Sequence, residues 1–77
     1  MNTYYKNYRV SSTKAGKQLR TRLNTSTAWF GTADIVREYR NTDGPQTVVT
    51  VLRTPYFASQ QEAGVCLTCC VEQEVNA

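Results

Sequence analysis

The stretch Ala33-Asp-Ile-Val-Arg-Glu-Tyr-Arg40, Asn41-Thr-Asp-Gly-Pro45, Gln46-Thr-Val-Val-Thr-Val-Leu-Arg53 decides the fold. Two arms rich in β-branched and aromatic residues flank Asp43-Gly44, a dipeptide that tolerates positive φ, and together they predict a β-hairpin. Setting Tyr39 opposite Val48 places Arg37 against Thr50, Ile35 against Leu52 and Asp34 near Arg53. A one-residue slip pairs Ile35 with Val51 instead, and the register stays open because both faces of the second arm carry Val or Leu. That two-sided apolar pattern predicts a central strand.

Downstream, Thr54-Pro55 ends the second arm, because proline lacks the ladder donor. Residues 56–63 read as a connector with one or two helical turns closed by Gly64. In it, Tyr56-Phe57 is expected to fold back onto the sheet, the alternative being an exposed contact for a partner. The last apolar segment alternates, with Val65, Leu67, Cys69, Val71 and Val75 on one face and Thr68, Glu72 and Glu74 on the other, which predicts a strand. A helix competes through Ala63, Cys66, Leu67, Cys70 and Val71, against the β-branched content and Gly64.

Upstream, residues 3–10 predict a half-exposed strand with Tyr4, Lys6, Tyr8 and Val10 on one side and Tyr5, Asn7 and Arg9 on the other. Residues 11–24 fit two patterns. One is a helix capped by Ser12 or Thr13 with Ala15, Leu19 and Leu23 in a stripe; the other is a strand alternating leucine with Arg20 and Arg22. Trp29 and Phe30 are large core anchors, with Gly31 a bulge before the hairpin. The expected core is Trp29, Phe30, Ile35, Val36, Val49, Val51, Leu52, Val65, Leu67 and Val71. The expected fold is α+β and β-rich: a small single-layer antiparallel sheet of three to four strands with one or two short helices packed on it. It forms a single small domain over residues 1–77, with residues 1–24 a basic, partly flexible segment.

The chain has 77 residues, 40% of them hydrophobic, three Cys and no His. Without His, catalytic triads and imidazole-based metal sites are excluded, and the carboxylates show no catalytic pairing, so the expectation is a non-enzymatic protein without cofactor or metal. Asp34, Glu38 and Asp43 read as surface residues or partners of Arg37, Arg40 and Arg53. Cys66, Cys69 and Cys70 fall one ligand short of a zinc site and read as small buried hydrophobes; a metal shared across a dimer and a redox pair are the alternatives.

No apolar run reaches the length of a membrane span, and the polar, aromatic first residues do not form a secretory signal. The whole chain is therefore expected as the mature protein, in a reducing cytoplasm, with Asn24-Thr-Ser26 a polar loop rather than a glycosylation acceptor.

The net charge of +3 is unevenly spread. Residues 1–33 carry Lys6, Arg9, Lys14, Lys17, Arg20 and Arg22 and no acid, whereas residues 34–77 carry three arginines against six acids. This asymmetry predicts either an acidic partner for the basic third or contact between the two parts of the molecule. The expected function is a protein–protein interaction or assembly module whose basic third docks on an acidic partner, with self-association by sheet-edge pairing. The alternative is a nucleic-acid binder, in which the same cations neutralise phosphates and Tyr4, Tyr5 and Tyr8 stack on bases.

Overall fold

The long hairpin organises the molecule. The computed structural model describes residues 2–77, which run β1 (Asn2–Lys14), α1 (Lys17–Leu23), β2 (Thr27–Asn41), β3 (Gly44–Arg53) and α2 (Gln60–Val75). The strands form one antiparallel sheet in the order β1-β2-β3, with α2 lying over β2 and β1. This is the expected small α+β fold. Fifteen residues of β2 at roughly 3.4 Å each account for its long axis, since the molecule measures 53 × 19 × 16 Å.

β2, not β3, is the central strand, because β1 takes its other side; β3 is an edge. The hairpin register also differs from both expected alignments. Ile35 opposes Thr50, Arg37 opposes Val48 and Tyr39 opposes Gln46. The cause is the turn, which closes on Thr42-Asp43 between paired Asn41 and Gly44, so that Gly44 (φ 116°) and Pro45 belong to β3. A shift of two residues preserves which side chains share a face.

In β1 an irregularity between Lys6 and Arg9 sets Asn7 and Tyr8 against the single residue Ala33. Asn7 adopts the left-handed conformation (φ 54°), which asparagine tolerates better than most residues. This bulge reverses the expected alternation beyond it. Tyr8 and Val10 join the α2 side, where Tyr5 also lies opposite Ile35, while Tyr4, Lys6 and Arg9 share the other face.

The segment expected as a final strand is the helix α2. Its start is a capping pattern, Ser59-Gln-Gln-Glu62, in which the Glu62 N–H donates to Ser59 Oγ at 3.2 Å. Ala63, Leu67 and Val71 form its buried stripe; Leu67 and Val71 meet Ala33 and Ile35, with Val10, Leu52 and Val75 around them. Gly31 lies under Leu67: a Cβ there would stand 2.7 Å from the Leu67 Cβ. The glycine therefore permits close helix–sheet approach. At the far end of α2, Arg37 Nη2 donates to Glu74 Oε2 at 2.7 Å.

Residues 11–24 divide between the two expected patterns. The strand continues to Lys14, and α1 then begins after Gly16, with no side-chain cap from Ser12 or Thr13. Asn24 closes α1 in the left-handed conformation (φ 55°). Beyond β3, Thr54 is buried and makes up for the interrupted ladder: its N–H donates to Gly31 O, and its Oγ1 accepts from Gly31 N at 2.8 Å.

The core is smaller than expected. Ile35, Val36, Leu67 and Val71 are buried, together with alanines at 15, 28, 33 and 63; Trp29, Phe30 and Leu52 are half-buried. Val49, Val51 and Val65 are exposed, the first two because α2 leaves the opposite sheet face bare and Val65 because it lies on the outer side of α2.

Candidate interaction surface

The cations of the basic third occupy two places. Lys14, Lys17, Arg20 and Arg22 cluster where α1 joins β1 to β2, and all four are exposed. Arg20 and Arg22 lie in the last turn of α1, where the helix carbonyls favour positive charge. Lys6 and Arg9 lie on the bare sheet face beside Asp34, whose Oδ2 accepts from Asn7 Nδ2 at 2.7 Å. Among the described residues the single salt bridge is Arg37–Glu74, which joins two residues of the acidic part. None of the six cations of the basic third has a carboxylate within ion-pairing distance. The expected contact between the two parts is made, through pairing of β1 with β2 and the Asn2–Glu38 and Asn7–Asp34 hydrogen bonds, but it forms no ion pair with the six cations.

The tyrosines do not form one surface. Tyr4 shares the bare face with Lys6, opposite buried Val36. Tyr5 and Tyr8 lie on the α2 side with ring centroids 5.7 Å apart. The Tyr8 and Thr68 hydroxyls share a hydrogen bond, and both stand within hydrogen-bond distance of Gly64 O, at 3.4 and 2.9 Å. Tyr8 thereby ties β1 to α2.

A second cluster on the bare face went unrecognised in the sequence. Arg53 lies opposite Thr32 rather than near Asp34. Its guanidinium carbon sits 4.6 Å from the Phe30 ring centroid and 5.5 Å from that of Tyr56, and its Nη2 donates to the Tyr56 hydroxyl at 2.6 Å. Phe30 and Tyr56 meet edge to face at 5.4 Å. Thr54-Pro55 was the available signal, since a turn there returns Tyr56 to its neighbour Arg53. Phe57 likewise folds back, exchanging backbone hydrogen bonds of 2.7 and 2.8 Å with Trp29.

The three cysteines are free thiols. On a helix their i, i+3, i+4 spacing makes them neighbours, whereas the expected strand would part them. Cys69 is exposed, and Cys66 and Cys70 are half-buried. Burial pushes the Cys66 thiol up from its ordinary value, and Cys70, through its charge and a hydrogen bond, and then Cys69 push it further. Among the described residues no group of three metal-ligating side chains is placed to hold an ion. Alkylation of the native protein near neutral pH, followed by peptide mass mapping, is expected to modify Cys69 first and Cys66 last. Since the raised thiol favours the neutral form, its contribution to folding is complete below the ordinary thiol range. That contribution declines as pH rises through the folded-state value.

Fold and surface together define a one-helix-layer α+β protein with a bare sheet face and an unpaired basic end. Among the described residues no helix is long and apolar enough to cross a membrane. No family model, curated protein or solved structure matches this chain.

Proposed function

We propose that the protein is a non-enzymatic interaction and assembly module. The cations at the α1 end, Lys14, Lys17, Arg20 and Arg22, dock on an acidic protein surface while the sheet serves as a rigid platform. The observation that supports this reading is the absence of any carboxylate partner for these cations in a fold that pairs Arg37 with Glu74. Unpaired like charges repel one another at the protein's own expense and are neutralised by an acidic partner, which also steers association. Self-association through a sheet edge belongs to the same reading, as does a reducing cytoplasmic setting suited to three free thiols.

The nucleic-acid alternative is less well supported by the geometry. Base stacking needs several ring faces beside the cations, but only Tyr4 shares the bare face with Lys6 and Arg9, while Tyr5 and Tyr8 lie on the α2 side and the Phe30 ring is occupied by Arg53. The test compares wild type with a variant carrying Lys14→Gln, Lys17→Gln, Arg20→Gln and Arg22→Gln. Binding to a labelled acidic peptide and to random single-stranded RNA is followed by fluorescence anisotropy at low and moderate salt. The acidic peptide is expected to bind wild type and to lose about tenfold or more in affinity with the variant, corresponding to at least 1.4 kcal/mol. RNA binding tighter than peptide binding and dependent on Tyr4 would move the assignment to nucleic acid, and no binding of either probe at low salt would remove it.

A further inference from the structure

We propose that β3 is a homodimerisation edge: two copies join antiparallel about a twofold axis at Thr50, with Val49 of each chain opposite Val51 of the other. This deepens the assembly part of the proposed function and does not depend on the acidic partner.

Every second residue of β3 leaves its backbone groups free. The Thr54 N–H points to β2, where it meets Gly31 O in register with the rest of the hairpin. Alternation along an antiparallel ladder then directs Thr47, Val49, Val51 and Arg53 outward, with N–H and C=O groups unpaired. Pro45 falls on the same outward set, as proline in a strand must, and marks where the free ladder ends.

An exposed edge of this kind is a template for another strand, and proteins ordinarily blunt it with charge, proline or a bulge. The two edges of this sheet differ in that respect. β1 carries Lys6, Arg9 and Lys14 and the bulge at Asn7. Between Pro45 and Arg53, β3 has no charge, no glycine and no bulge, and its valines at 49 and 51 are 50% and 69% exposed.

Self-complementarity selects a second copy as the occupant. Thr47-Val-Val-Thr-Val-Leu-Arg53 is nearly palindromic in character about Thr50. Antiparallel pairing about that residue sets Thr47 against Arg53, Val48 against Leu52 and Val49 against Val51, so apolar meets apolar on both faces. All four free residues then find partners that are also free. Centring on Val49 instead would place Arg53 against Pro45, which has no N–H to give. The resulting contact is isologous and closes as a dimer. Because the twofold is normal to the sheet, both α2 helices lie on one side and the two bare faces join into one six-stranded surface on the other.

Sedimentation at sub-millimolar concentrations tests the dimer, and disulfide trapping tests the register. Wild type is expected to show a reversible monomer–dimer equilibrium, weakened about tenfold or more by Val51→Lys. That side chain is solvated in the monomer, so circular dichroism and thermal midpoint are expected to stay at wild-type values when both proteins are compared at concentrations where they are monomeric, since dimerisation itself raises the midpoint. Under mild oxidation Thr50→Cys is expected to form a dimer linked through position 50, mapped by mass spectrometry against wild type to separate links through native thiols. Directly opposed residues at a non-hydrogen-bonded pair lie about 4.5 Å apart at Cα, within disulfide reach. Val49→Cys is expected not to self-link, its own symmetry mate being a diagonal neighbour about 7–8 Å away. A monomeric wild type, a dimer unaffected by Val51→Lys, or linkage through position 49 in place of 50 would each overturn the proposal. Acidic-peptide binding by a monomeric wild type would leave the docking reading standing while removing this one.

Discussion

Leu67→Ala is expected to remove half or more of the folding free energy and to leave the protein partly unfolded near physiological temperature. Leu67 is fully buried, and with Val71 it carries the contact of α2 with Ala33 and Ile35. Truncating a buried leucine to alanine costs about 2–5 kcal/mol, the lost transfer energy adding to that of the cavity left behind. A single core in a domain of this size supplies roughly 3–5 kcal/mol of net stability. Here the buried set includes four alanines and few large side chains, so no neighbouring contact offsets the loss. Urea unfolding followed by far-ultraviolet circular dichroism should show a midpoint displaced far below that of wild type. The matched control is Val51→Ala, whose side chain is solvated in the monomer and, at concentrations where the protein is monomeric, should move the midpoint by less than about 0.5 kcal/mol equivalent. Equal effects at the two positions would mean that α2 is not the lid of the core.

The hairpin was legible because its signals are local: β-branched arms and an Asp-Gly turn act within 21 contiguous residues. Its register was not, because moving the turn centre by one position shifts every pair by two while leaving the faces unchanged, so the apolar pattern cannot detect the error. The helix α2 was misread because Val65, Leu67, Cys69 and Val71 satisfy a period of two as well as Ala63, Leu67 and Val71 satisfy a helical one. The Ser59-Gln-Gln-Glu62 cap was the signal that separates them, since it satisfies N–H groups that only a helix leaves free. For the candidate surface, the sequence supplied the inventory of cations but not their grouping. The bulge at Asn7 splits the tyrosines between faces, and only the folded chain shows that none of the six cations of the basic third is ion-paired. A bulge depends on pairing between residues more than 20 positions apart, which local pattern does not record.

The two glycines that face the helix–sheet seam should respond to the same substitution with opposite signs. At Gly31 the missing side chain is what lets α2 settle: an added Cβ would lie 2.7 Å from Leu67 Cβ and 2.8 Å from its Cδ2. The Cβ is fixed by the helix backbone and cannot rotate away, so α2 must lift or the strand must bend. Overpacking of this kind costs about 1–3 kcal/mol. In a domain of 60–100 residues each kcal/mol moves the thermal midpoint by roughly 4–8 °C, so Gly31→Ala is expected to lower it by about 5–20 °C. Gly64 sits inside α2, where an added Cβ would meet only Val10 Cγ2 at 3.8 Å, an ordinary contact. Replacing a helical glycine by alanine restricts the unfolded chain and gains about 0.5–1 kcal/mol. Gly64→Ala is therefore expected to raise the midpoint by a few degrees while preserving the carbonyl that accepts from Thr68. Calorimetric scans of both variants beside wild type decide the matter. Two losses would place Gly64 tighter against β1 than its 3.8 Å clearance allows, and two gains would mean that α2 does not rest on Gly31 and stands clear of the sheet.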